Sequence, residues 1–292
     1  MPERPDLEYV VDVLSRELCG RSIVVAEGFK PVVLRLTLEG DLASLLAGQR
    51  FVSVQRQSHF LRFGLVPAGG RKRKASRELV VSPMLAGRFD LVQAETKKRA
   101  DVAVDLHLDD GRRLRYRDDK QMGKVYVIDA GDEAKVPGLA AAAKGLDILD
   151  PEVFSEEAFL ALARKRRDQV RVFLMDKSAL DALGNAYADE VLFAAGIHPK
   201  AWVRKLDEGE LSRLYHALVD VLGDAVRIIA ERKPPLADKV RDFLSVRNKA
   251  GEPCPRCGTK LRRCGVRGYD SHFCPRCQPD QRGSGLVNWS KR

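Results

Sequence analysis

Three groups of residues in this 292-residue chain have types and spacing suited to chemistry. The first is the opening stretch, Met1-Pro2-Glu3-Arg4-Pro5-Asp6-Leu7-Glu8. With Met1 removed, Pro2 presents a free secondary amine, followed at once by a carboxylate. An unprotonated amine attacks an aldehyde carbon and forms an iminium, as catalytic lysines do. Free α-amino groups titrate near ~8, so a useful fraction is unprotonated at neutral pH. Glu3, beside that amine, is placed to move protons during attack and elimination. The same stretch also suits a plain structural role, with Pro5 opening a helix at its first position.

The second group is Cys254-x₂-Cys257 and Cys274-x₂-Cys277, with sixteen residues between the pairs. This is the two-knuckle spacing that closes a tetrahedral four-thiolate zinc site. Each pair lets two sulfurs converge from one tight turn, and a metal makes up for the small core of so short a segment. Because Cys254, Cys257, Cys274 and Cys277 fill every tetrahedral position, one structural Zn²⁺ is expected. Of the remaining cysteines, Cys19 is expected as a buried small hydrophobe, and Cys264 lies outside the pair spacing. The third group is Asp181-Ala182-Leu183-Gly184-Asn185-Ala186-Tyr187-Ala188-Asp189-Glu190, which sets an amide at the start of a new helix. Helix-terminal N–H groups with a side-chain amide beside them make an uncharged phosphate grip. Asn185 suits an N-cap equally well, and the two roles are compatible.

The elements that must position these groups follow from periodicity. Leu7, Val11, Leu14 and Leu18 fall on one face of a helix over Pro5–Leu18, and Gly20 stops it. Between Arg21 and Ile128 short β-rich runs take over: Ser22–Ala26, Val32–Leu38, Arg50–Leu65, Glu78–Ser82, Ala103–Leu108 and Lys124–Ile128. Asp109-Asp110-Gly111 joins two strands as a hairpin. The alternation predicts a two-layer antiparallel β-sandwich with a helix at its start. The Arg71-Lys72-Arg73-Lys74 run reads as an exposed loop. Segments 155–167, 168–176, 187–195, 209–232 and 236–244 carry helical spacing. The fold class is therefore multidomain α+β. It comprises a catalytic β-sandwich domain over 1–130, a linker over 131–152, a helical domain over 153–249 and a zinc-bearing β-hairpin over 250–292.

Composition bounds the rest. Apolar content of 45% and charged content of 32% give an ordinary globular balance. No run of 18 apolar residues appears and no signal peptide is visible, so a cytoplasmic location is expected. Net charge is +10, and residues 239–292 hold thirteen Lys or Arg against four Asp or Glu. That concentration is the electrostatic footprint of a nucleic-acid contact.

Taken together, the three groups resemble the Fpg/Nei (formamidopyrimidine-DNA glycosylase / endonuclease VIII) family. Pro2-Glu3-Arg4-Pro5-Asp6-Leu7-Glu8 is similar to its Pro-Glu-Leu-Pro-Glu-Val-Glu start. Gly184–Glu190 with Gly196-Ile197-His198-Pro199 looks like its helix-two-turns-helix motif, and the cysteine pairs look like its zinc finger. The resemblance spans nearly the whole chain. It implies a monomeric base-excision repair enzyme, associated with the nucleoid through DNA, that holds damaged DNA between two domains and flips the base out. The implied nucleophile is Pro2, which attacks C1′, displaces the base and holds the sugar as a Schiff base before elimination cuts the strand. Glu3 is the implied acid/base, and Asn185 an implied phosphate contact.

Several positions depart from the family. His59, in Arg56-Gln57-Ser58-His59-Phe60, stands where a catalytic lysine is usual. Tyr269 stands where the zinc finger has a phosphate-gripping arginine, with Arg267 two residues earlier. Leu85 takes the place of a methionine wedge and Ser82 that of a phosphate-contacting histidine. Gln121 and Met122 replace the residues that fill the hole left by the flipped base; the glutamine offers hydrogen bonds to the orphaned base, and the methionine a wedge. Fewer phosphate-neutralising cations predict weaker, less salt-dependent binding. The leading expectation is a DNA glycosylase with abasic-site lyase activity acting on damaged duplex or single-stranded DNA. Two others stand beside it: a reader of damaged or bent DNA that does not excise the base, and a zinc-ribbon interaction protein that binds no DNA.

Overall fold

The computed structural model describes residues 3–70, 74–140, 145–181 and 183–280. Pro2, and Arg71 to Arg73 of the basic run, lie outside the described residues. The chain divides into two compact units, Met1–Ala143 with Ile228–Val240, and Lys144–Arg227 with Arg241–Arg292.

The first unit opens with α1 (Arg4–Leu18), whose N-cap is Glu3. The Asp6 carboxylate reaches back to the Glu3 amide at 2.8 Å, which satisfies a donor the helix leaves free at its start. Leu7, Leu14 and Leu18 are buried on one face. Cys19, expected to be buried, is exposed. It follows the last buried leucine by one position, about 100° around the helix, and so leaves the apolar stripe.

Among the described residues nine strands follow in this unit: β1 (Ile23–Gly28), β2 (Leu34–Leu36), β3 (Gln49–Gln57), β4 (Phe60–Pro67), β5 (Arg77–Ser82), β6 (Arg88–Gln93), β7 (Val102–Leu108), β8 (Arg112–Arg117) and β9 (Lys124–Asp129). They form a five-stranded sheet, β2-β9-β5-β4-β3, and a four-stranded sheet, β1-β7-β8-β6. Pairing is antiparallel except between β2 and β9. The run Arg50–Leu65 is a hairpin rather than one strand, reversing at Ser58-His59 with Gln57 opposite Phe60. Ser58 takes a φ of +53° there. β6 had no clear signal, because only Phe89 in it is buried. The five-residue helix α2 (Leu42–Leu46), capped by Asp41, is too short to show a period.

Alternation divides the five-stranded sheet's side chains between two cores. Leu61, Leu79, Val81, Val125 and Val127 join Phe51, Phe63, Phe89 and Tyr116 in the sandwich interior. Phe60, Val80, Tyr126 and Ile128 face the other way and are covered by Val136 and Leu139. Strands buried on both faces explain the near-continuous apolar runs in the sequence.

The second unit contains α3 (Glu156–Arg164), α4 (Val170–Leu174), α5 (Asn185–Ala195) and most of α6 (Glu208–Arg232), packed around Phe159, Phe173, Tyr187, Leu192, Leu214 and Leu218. α5 ends at Gly196 in the left-handed conformation, φ +70°. Residues 236–244, expected to be helical, are not. Pro234 and Pro235 withhold two amides and Lys233 takes φ +47°, which breaks the chain's path at the end of α6. The unit closes with a hairpin of β10 (Arg262–Val266) and β11 (Tyr269–Phe273). Its turn, Arg267-Gly268, has φ of +45° and +84°, the left-handed pair that a two-residue hairpin favours. No helix among the described residues is long and apolar enough to cross a membrane.

Candidate nucleic-acid site and zinc centre

In the first unit, Glu3 is 6% exposed at the head of α1. One turn on, the Glu8 carboxylate pairs with Arg4 and accepts from Arg56 Nε at 3.1 Å. Arg56 Nη1 donates to the Ser58 carbonyl at 2.7 Å. One guanidinium therefore ties the start of α1 to the β3–β4 tip that carries His59. The His59 ring lies on Phe60, centroids 4.2 Å apart.

Two further loops of this unit carry the expected wedges. Leu85, between β5 and β6, is 55% exposed, and Met122, between β8 and β9, is 42% exposed. Gln121 is exposed beside Met122, at φ +53°. Neither loop is loose at its base. The Gly87 amide donates to the Pro83 carbonyl at 2.8 Å, and Asp118 accepts from Lys120 N at 3.1 Å and Gly123 N at 2.6 Å. Tyr116 sits between them: a Cβ on Gly87 would lie 2.3 Å from its Oη, and one on Gly123 1.9 Å. Burial and the nearby Asp118 carboxylate push the Tyr116 phenol well above its ordinary value, so it stays protonated. Ser82, by contrast, is buried on β5. Tyr116, Arg56 and the two glycines have no role assigned from the sequence. Their only signal was glycine at strand ends, which marks close backbone approach.

In the second unit, Asn185 is the first residue of α5, with Gly184 as N-cap. Its Oδ1 accepts from Arg171 Nη2 at 2.8 Å. The same nitrogen donates to the Asp270 carbonyl at 2.8 Å, next to Tyr269. Asp189, fully buried, is the hub beneath. It accepts from Arg171 Nε at 3.2 Å, Arg247 Nη1 at 2.8 Å, Ser271 Oγ at 2.7 Å and the His272 amide at 3.0 Å. Burial holds the His272 ring below its ordinary value, with Arg247 adding to the effect. Adjacent Glu190 accepts the amides of Ser245, Val246 and Arg247. Those bonds supply the amides of an irregular segment with acceptors. Tyr269, 54% exposed, and Arg267, also exposed, sit at the hairpin tip. Thus Asn185, Arg267 and Tyr269 share one scaffold, built by Arg171, Asp189 and Arg247, to which the sequence assigned no role.

The four cysteines converge. Their sulfurs all lie within 4.8 Å of one another, with Cys254–Cys277 at 3.9 Å and Cys257–Cys274 at 3.5 Å. A tetrahedron with Zn–S bonds of ~2.3 Å has edges near ~3.8 Å. Amides of Arg256 and Cys277 donate to Cys254 Sγ and Cys274 Sγ, both at 3.4 Å. Hydrogen bonds from Thr259 bring the Cys257 thiol down to about 6, while burial and the neighbouring sulfurs push Cys277 up to about 12. Four thiolates so close together need a cation at their centre, and the donor set fits one structural zinc. Gln278 supports the cluster, accepting from Cys274 N and donating to the Ile197 carbonyl, each at 2.9 Å.

Comparison with known proteins places these sites in context. Residues 1–125 match the formamidopyrimidine-DNA glycosylase N-terminal domain, 145–232 its H2TH domain, and 251–279 the zinc finger found in FPG and IleRS. The formamidopyrimidine-DNA glycosylase of Symbiobacterium thermophilum is 33% identical, covering 98% of this chain and 92% of its own. That of Brevibacillus brevis is 30% identical, covering 96% and 100%. Among solved structures, Lactococcus lactis Fpg bound to DNA containing an abasic site superposes with a TM-score of 0.82 at 25% identity, covering 95% of this chain and all of that one. The same enzyme with N7-benzyl-Fapy-dG DNA gives 0.83 at the same identity and coverage.

Proposed function

The chain belongs to the formamidopyrimidine-DNA glycosylase family, and on that footing we propose that it is a base-excision repair DNA glycosylase with abasic-site lyase activity. The observation that carries this reading is the pair of exposed apolar side chains, Leu85 and Met122, on loops locked at their base by Tyr116 and Asp118. Apolar residues held outward on rigid turns suit wedging between base pairs, which a base-flipping enzyme needs.

In the proposed reaction the Pro2 nitrogen, free after Met1 removal, attacks C1′ of the lesion nucleotide. The glycosidic bond breaks, and the base departs with its bonding pair and takes a proton. Loss of the amine proton and opening of the sugar ring give the iminium. A proton then leaves C2′ and the 3′ phosphate departs, cutting the strand; water hydrolyses the iminium and frees the proline. Glu3, held at the N-cap of α1, relays protons in these steps. His59, Leu85, Gln121, Met122, Asn185, Arg267 and Tyr269 are proposed as the DNA-facing residues. The protein works as a monomer on damaged DNA, in the cytoplasm and with the nucleoid.

Borohydride trapping on duplex DNA containing an abasic site tests the reading. A covalent adduct is expected, and it should vanish in Pro2→Gly or when Met1 is retained. No adduct on any lesion would sink the lyase proposal. A second reading, favoured by His59 and Tyr269 at two positions where the family carries cations, is a reader that binds damaged DNA without excision. Tight binding to lesion duplexes with neither base release nor cleavage would select it.

A further inference from the structure

At the tip of the β10–β11 hairpin Tyr269 carries no charge and Arg267 stands two residues earlier, while two more arginines gather directly behind Tyr269. Arg171 and Arg247 both donate to the Asp270 carbonyl, at 2.8 and 2.9 Å, and both bond Asp189. The Asp270 carboxylate pairs with Arg263 at 3.4 Å and the Glu190 carboxylate is taken up by three backbone amides, so among the described residues Asp189 is the one carboxylate bonded to both guanidinium groups. Both guanidinium groups lie next to the N-terminus of α5, whose dipole adds positive potential.

The two arginines are not equivalent. Arg171 is 1% exposed and spends its donors inside the protein: Nε on Asp189, Nη1 on Met175 Sδ, and Nη2 on Asn185 and Asp270. Arg247 is 17% exposed, and its two bonds both leave from Nη1. Among the described residues its Nε and Nη2 have no partner. Asn185 shows the same asymmetry. Its Oδ1 must face the Arg171 donor, which turns Nδ2 the other way, and no described residue accepts from Nδ2. Arg247 and Asn185 are therefore open donors joined through Arg171 and one carbonyl. A guanidinium fixed by two bonds on one edge presents the other at little further entropic cost.

We infer that Arg247 is a DNA-phosphate ligand, gripping the backbone together with Asn185 and supplying the charge that Tyr269 lacks. The inference rests on the proposal that this chain binds damaged DNA. It places a cation of the hairpin site on the segment entering the zinc finger, behind the hairpin tip.

The test is binding of a fluorescein-labelled duplex containing a tetrahydrofuran abasic analogue, followed by anisotropy from low to moderate salt, using zinc-loaded full-length protein. Arg247→Gln removes the charge and keeps a polar side chain that can donate hydrogen bonds. It should bind roughly tenfold more weakly at low salt and flatten the log–log salt slope by about 0.9, the value of one phosphate. Arg247→Lys should restore the slope. Ser271→Ala breaks a bond to the same Asp189 without changing charge, so it should leave the slope alone. Replacing individual phosphates by methylphosphonates should reveal one position that weakens the wild type but not Arg247→Gln. An unchanged slope in Arg247→Gln at full zinc content, or an equal change in Ser271→Ala, would overturn the inference while leaving the glycosylase reading intact. A wild type without salt-dependent duplex binding would instead remove the reading beneath it.

Discussion

The carboxylate of Asp118 accepts the amide of Gly123 at 2.6 Å, closing the loop that turns Gln121 and Met122 outward. Behind that loop, the Gly123 Cα faces the Tyr116 hydroxyl so closely that a Cβ would lie 1.9 Å from it. Gly123→Ala should therefore destabilise the first unit by roughly 1–3 kcal/mol through overpacking. Tyr116→Phe in the same chain should recover part of that loss, because it removes the atom in the way. Urea unfolding of the two single variants and the double variant measures the coupling. Additive costs would show that the two residues do not meet in solution.

Leu85 and Met122 are exposed, so their truncation removes little packing. Leu85→Ala and Met122→Ala should each change stability by less than about 0.5 kcal/mol. Base excision from duplex DNA should nevertheless fall at least tenfold, while cleavage of a single-stranded abasic oligonucleotide is largely spared. Equal losses on both substrates would separate these side chains from wedging.

His59 sits on the tip of the β3–β4 hairpin, which Arg56 anchors to the head of α1. A lysine there carries a full charge at neutral pH, whereas a histidine carries a fraction. His59→Lys should tighten binding to abasic duplex DNA and steepen its salt slope by up to about 0.9. The measurement is the same anisotropy titration, and an unchanged slope would place His59 away from the phosphates.

Chelation of the zinc, or Cys257→Ser, should release one zinc per chain. The β10–β11 amides should then lose their exchange protection, because the knuckle turns fold around the metal. The amides of the β-sandwich should keep theirs. Hydrogen exchange with metal analysis decides it, and protection of both regions without zinc would show that the finger folds unaided.

Burial holds the His198 imidazole below its ordinary value. The neutral ring also accepts the Lys200 amide at Nδ1, at 3.2 Å, a bond that protonation removes. Between the folded and unfolded values the unfolded chain binds more protons, so this contribution to stability rises with pH. It is complete above about 6.5 and is lost as pH falls below it. The urea midpoint should drop between pH 7.5 and 5.5. His198→Asn, which keeps an acceptor for the amide, should drop less, and an identical pH profile would refute the assignment.

Much of this was legible in the sequence because it depends on local spacing. The α1 stripe, the hairpin at Asp109-Asp110-Gly111 and the two cysteine pairs each follow from a period or turn that neighbouring residues set among themselves. The helix over 236–244 failed for the complementary reason. Its apolar spacing was real, but Leu236 packs into the sandwich core and the Ser245–Arg247 amides just beyond it belong to Glu190, from the middle of α5. β6 stayed hidden because its core face is short, Phe89 and Leu91 opposite Tyr116 and Leu114, and its other face is held by charge, Asp90 with Arg117.

Residue types and spacing alone specify the candidate chemistry: an amine beside a carboxylate, four thiolates for a metal, and an amide at a helix start. Which residues hold the site's side chains and loops in place emerges only on folding. Tyr116 between two glycines, Arg56 between a helix and a hairpin, and Asp189 under Arg171 and Arg247 join segments far apart in the chain. Their meaning lies in burial and hydrogen-bond closure, and both arise only when the chain is packed.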